Sequence, residues 1–125
     1  MAEKSSTPTE LNYHRKSRVL EIAFGEDERF ELSAEFLRVH SPSAEVRGHG
    51  PGQEVLQIGK ESIGIDRIEP VGNYAVRLYF DDGHDTGLYS WEELRRFCDH
   101  RDELWKDYLG RLQAAGHKRK TSEDS

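Results

Sequence analysis

Three histidines, His40, His49 and His84, stand in or beside polar loops. Imidazole nitrogen is a good zinc ligand, and Asp81, Asp82 and Asp85 put carboxylate oxygens close to His84 in the chain. Their spacing matches no standard zinc signature, so the plain reading is surface imidazoles in polar loops. His100-Arg101-Asp102 spells the His-x-Asp of a non-haem iron facial triad. It falls in a charged helical run, where a solvated helix face is the simpler account. Gly48-His49-Gly50-Pro51-Gly52 looks like a phosphate-cradling loop. Such loops open a helix with amides aimed at the anion; here Pro51 lacks its amide and no helix follows. Cys98 falls on an apolar helical face, where a cysteine is usually a small buried hydrophobe. Ser41 and Ser43 have no base next to them in sequence. Arg38, Arg47 and His84 would serve an anionic ligand only if one concave pocket joined them.

The chain that must position these residues has 125 of them, a size for one domain. Apolar and charged residues each make up 34%, and the apolar ones cluster in the middle. The net charge of −6 argues against nucleic acid or an anionic membrane as partner. A single cysteine excludes an intrachain disulfide and a four-cysteine zinc site. The opening residues carry no apolar run of the signal-peptide kind. No stretch approaches the roughly 20 apolar residues of a membrane span. The expectation is a soluble cytoplasmic protein: a disordered tail over 1–8, one domain over 9–115, and a disordered charged tail over 116–125.

The pattern within the domain calls for an α+β fold: a small, mainly antiparallel sheet built from hairpins, one short helix and a C-terminal amphipathic helix. Tyr74, Val76, Leu78 and Phe80 alternate with Ala75, Arg77 and Tyr79, as in a strand with one buried face. Asp82-Gly83 supplies a two-residue turn, and Asp85 to Tyr89 returns as a strand. Ser90 and Glu93 form a capping box that starts the main helix. Upstream, Leu11 to His14, Val19 to Phe24 and Arg29 to Leu32 read as strands, with Gly25 at the bend. Ser33 caps a short helix carrying Phe36, Leu37 and Val39. Residues 41–53 read as a loop, anchored at its far end by Val55, Leu56 and Ile58. Ile63 and Ile65 fit another strand, and Gly72-Asn73 a turn. From Ser90 to Ala115, Trp91, Leu94, Cys98, Trp105, Tyr108 and Leu112 share one helical face. The polar run 99–103 invites a break near His100.

Taken together, Leu37-Arg38, Ser41-Pro42-Ser43-Ala44, Ile68 to Val76, Phe80-Asp81-Asp82-Gly83-His84 and Tyr89-Ser90-Trp91 resemble the gamma-butyrobetaine hydroxylase N-terminal-like domain. The likeness covers about residues 8 to 97. That domain precedes the catalytic barrel in gamma-butyrobetaine and trimethyllysine dioxygenases. It also occurs alone in small bacterial proteins of unknown function, and attached to iron–sulfur carrier ATPases. The resemblance implies a compact domain without the catalytic barrel, hence no enzyme.

In the dioxygenases the domain carries a structural zinc. Its ligands are cysteines of a Leu-Arg-x-x-Cys-x-Cys-x-x-Cys pattern and the histidine after the Asp-Gly turn. The histidine position is His84 here, while the cysteine positions fall on Ser41, Ser43 and Val46. A hydroxyl is a far poorer zinc ligand than a thiolate, and valine is none. The expectation is therefore a lost zinc site, with His84 hydrogen-bonded across it to the Ser41 loop and no cofactor.

The function expected is a non-enzymatic accessory or protein-interaction module. It would act through Arg38, Arg47, His49 and the loop around them, or through the C-terminal helix, as a monomer or weak homodimer. The alternative is zinc or iron held by His84 and His40, or an accessory role in iron–sulfur or dioxygenase-related metabolism.

Overall fold

The computed structural model describes residues 7–48 and 52–119. Among the described residues there are two antiparallel three-stranded sheets and four helices. The first sheet is a meander of β1 (Glu10–His14), β2 (Val19–Phe24) and β3 (Glu28–Ser33). Leu20, Ile22 and Leu32 have no exposed surface, as the period-two pattern requires. Gly25, at φ 79°, takes the bend between β2 and β3. The second sheet is β4 (Ile65–Val71), β5 (Ala75–Phe80) and β6 (Leu88–Ser90), in that order. Val76, Leu78 and Phe80 of β5 face the shared core.

Helix α1 (Ala34–Val39) starts where Ser33 Oγ accepts from the Phe36 amide at 3.0 Å. Helix α2 (Ala44–Arg47) is a single turn capped by Ser43. Helices α3 (Trp91–Asp99) and α4 (Arg101–Ala114) meet at His100. Ser90 Oγ accepts from the Glu93 amide at 3.1 Å, which starts α3. Leu94 and Phe97 then drop into the core between the sheets. No described helix is long and apolar enough to cross a membrane.

The α+β class and its hairpin-built antiparallel sheets follow the sequence pattern, and four details differ. Two small sheets replace one, because β3 leads into α1 and not into β4. Residues 41–53 are not all loop, since Ser43 nucleates α2. The break invited by the polar run is present: the C-terminal helix divides at His100 into α3 and α4. Asp82-Gly83 does not join adjacent strand ends: β6 begins only at Leu88, with residues 81–87 between it and β5. Tyr74, Val55 and Ile58 are exposed at 56%, 53% and 46%, so of the three anchors assigned after the loop only Leu56 packs inward.

Candidate functional site

The short helices and the β5–β6 connection meet around His84. Ser41 leaves the end of α1 with its side chain fully buried. Its Oγ lies 2.9 Å from His84 Nε2 and accepts from the Ser43 amide at 3.2 Å. His84 Nδ1 lies 3.2 Å from Glu45 Oε2. A carboxylate accepts, so Nδ1 carries the ring proton and Nε2 accepts from the Ser41 hydroxyl. Two residues further along each segment, Ser43 Oγ and Thr86 Oγ1 share a second bond of 2.7 Å. Together these contacts clasp the 41–47 segment to the β5–β6 connection.

The hairpin tip that presents His84 is itself fixed. The Phe80 amide bonds the His84 carbonyl at 3.0 Å, and the Gly83 amide bonds the Phe80 carbonyl at 3.1 Å. Asp82 accepts from the His84 amide at 3.1 Å, from Lys60 Nζ at 2.7 Å and from Arg38 Nε at 2.9 Å. Burial opposes the charge on Asp82, but these donors outweigh it and hold the carboxyl at about 2. Burial, followed by the Arg38 charge, lowers the His84 pKa. Arg38 is buried, and its NH1 has no hydrogen-bond partner.

Behind the clasp, Gly87 passes so close that a Cβ there would lie 2.5 Å from Ser41 Oγ. Tyr89, also fully buried, donates from its hydroxyl to the Leu37 carbonyl at 2.5 Å. Ser41, His84 and Glu45 thus have the connectivity of an acyl-transfer triad. The Ser41 side chain, however, has no exposed surface for a substrate carbonyl to approach. The arrangement holds two segments together and presents no nucleophile.

The same residues do not fit a structural zinc. The donors facing His84 are a serine hydroxyl and one exposed carboxylate, and Val46 is buried hydrocarbon. Among the described residues, no three His, Cys, Asp or Glu side chains group so as to hold a metal ion. His40 serves elsewhere: its Nδ1 is 2.9 Å from the Phe36 carbonyl, and its ring packs on Phe36, Phe97 and Tyr108. Burial lowers its pKa too. His49 lies outside the described residues. His100 and Asp102 are exposed at the α3–α4 junction.

Arg47 turns from the clasp towards α3, where its NH2 meets Glu93 Oε1 at 2.5 Å. Arg96 Nε meets the other oxygen of that carboxylate at 2.8 Å. Burial works against the Glu93 charge, yet the two guanidiniums keep its pKa below the ordinary value. A cleft of about 530 Å³ lies between the 39–57 segment and α3–α4. Arg47 and His40 line it, whereas Arg38 and His84 do not, so no single described pocket unites Arg38, Arg47 and His84. The Val55 amide bonds the Val46 carbonyl at 2.7 Å, and Tyr108 donates to the Gln57 carbonyl at 2.7 Å. These bonds fix the outer wall of the cleft.

Glu45, Thr86 and Arg96 were not singled out from sequence, and Glu93 and Tyr108 were read there only as a helix cap and a member of the apolar helical face. Thr86 and Glu45 carry no signal there, since their partners lie 43 and 39 residues away.

Residues 11–95 match the family model described as gamma-butyrobetaine hydroxylase-like, N-terminal. No curated protein matches the chain. A solution NMR structure is similar over 90% of this chain and 89% of its own, at 50% identity and a TM-score of 0.79. A second is similar over 95% and 90%, at 54% identity and 0.76. A crystal structure from Acidithiobacillus ferrooxidans, of a protein with unknown function in the DUF971 family, is similar over 76% and 96%. Its identity is 36% and its TM-score 0.63.

Proposed function

The chain belongs to the gamma-butyrobetaine hydroxylase-like N-terminal family, and we propose that it is a non-enzymatic accessory module that docks a protein partner. The docking face is formed by the described residues 41–48 and 52–58 with the neighbouring β5–β6 connection. One observation carries this reading. The segment is clasped through Ser41, Ser43 and Arg47, yet it displays Val55 and Ile58, two of the few large apolar side chains with substantial exposure. Fixed backbone lowers the ordering cost of association, and exposed hydrocarbon supplies its driving force. The buried Ser41 hydroxyl supports the non-catalytic half of the proposal.

A photo-crosslinking residue at Val55, with another at the remote Tyr79 as control, tests it in the source cell. The expected result is a discrete crosslinked protein from position 55 that disappears when Ser41 and His84 are both replaced by alanine. No discrete product, or the same products from position 79, contradicts it.

A further inference from the structure

The cleft behind the 39–57 segment has chemistry that the docking proposal leaves unused. Its volume, about 530 Å³, lies within the range of small-ligand pockets. Val39, Leu56, Phe97, Leu104 and Tyr108 give it hydrocarbon and aromatic lining. At its α3 side, Arg47 and Arg96 share the single carboxylate of Glu93. Two guanidiniums against one carboxylate leave one excess positive charge within this trio, while Glu54 elsewhere in the lining is negative. Each arginine gives Glu93 one nitrogen, Arg47 its NH2 and Arg96 its Nε. Among the described residues the other N–H groups of both forks have no hydrogen-bond partner, and Arg96 stacks over the Phe97 ring, so the pair can meet a second planar carboxylate. Elsewhere in the lining, Arg111 is paired with Asp107 at 3.0 Å, and Glu54 is exposed.

We propose that this cleft binds a small apolar monocarboxylate, its head between Arg47 and Arg96 and its hydrocarbon body against Leu56, Leu104 and Tyr108. One excess charge suits a monoanion better than a phosphate dianion. The apolar part of the lining, Val39, Leu56, Phe97, Leu104 and Tyr108, suits an unbranched or aromatic tail. Val55 borders the cleft and Ile58 does not, but the contacts proposed for the ligand use neither side chain, so ligand binding and protein docking can be tested separately.

Amide chemical-shift titration of the full chain with octanoate, and with octanamide as the uncharged control, tests it. Octanoate is expected to give saturable shifts at Arg47, Arg96, Leu104 and Tyr108. Octanamide should bind the same place at least about fivefold more weakly. Arg96→Gln should bring the two affinities together, and Leu56→Trp, which fills the cavity, should abolish both while the spectrum stays folded. Shifts scattered away from the cleft, equal affinity for the two probes in the wild type, or octanoate binding untouched by either substitution would overturn the proposal.

Discussion

The imidazole of His84 stands between Ser41 Oγ at 2.9 Å and Glu45 Oε2 at 3.2 Å, and so spends both of its nitrogens on the 41–47 segment. Ser41 and His84 come from segments 43 residues apart, and neither is appreciably exposed. The bond between them is therefore a long-range closure in a poorly solvated setting, where a lost partner is costly.

Replacing His84 by alanine leaves the buried Ser41 hydroxyl without its acceptor. The expected loss of stability is about 1–3 kcal/mol, read from urea unfolding. Ser41→Ala should cost a similar amount. The double variant should cost less than the sum, with a coupling of about 1 kcal/mol. Strict additivity would mean the two side chains do not act as a pair.

Gly87→Ala attacks the same closure from behind. The added methyl would meet Ser41 Oγ at 2.5 Å and the Tyr89 ring at 3.1 Å, both fully buried. We expect a destabilisation of about 1–3 kcal/mol from overpacking. Faster hydrogen exchange should be confined to residues 41–47 and 84–89. Gly83→Ala, with open space around its Cβ, should not affect the clasp by crowding, although its φ of 89° makes the turn itself strained.

The chain should lose stability as pH falls below about 6.5. His40 and His84 both have folded-state pKa values below the ordinary 6.5. The unfolded chain therefore binds more protons in this window, and stability falls with pH until the folded-state values are reached. The slope is at most about 1.4 kcal/mol per pH unit for each histidine. Asp82, held at about 2, adds a separate loss only below its ordinary value of 3.8. His84→Gln should flatten the upper window and leave the acid one. Chemical unfolding between about pH 2 and 8 checks both.

Much of the fold is legible in the chain because its signals are local. The bounds of β2 follow from its apolar run and the turn at Gly25, and Ser33 and Ser90 mark helix starts by hydroxyl-to-amide bonds three residues long. The second arm of the Ser90–Glu93 box was misjudged, since the Glu93 carboxylate goes to Arg47 and Arg96. That preference depends on a distant arginine. Residues 85–87 read as strand because Asp82-Gly83 suggests a tight hairpin. In the fold, Thr86 is drawn off to Ser43 and Gly87 lies against Ser41, so pairing with β5 resumes only at Leu88. Arg95 also escaped notice: a charged residue beside Leu94 reads as solvent-facing. It is buried, forked onto Glu28 and stacked over Phe24. The residue types around His84 could be read from the family pattern, but Glu45 as its second partner could not.

The most direct measurement is the metal content of the protein, purified without a histidine tag, by native mass spectrometry beside His84→Ala. If hydrogen bonds close the site, wild type and variant both carry no stoichiometric metal, and the variant differs only in being less stable. One zinc or iron per chain in the wild type, lost in His84→Ala, would contradict the account and make His84 a ligand.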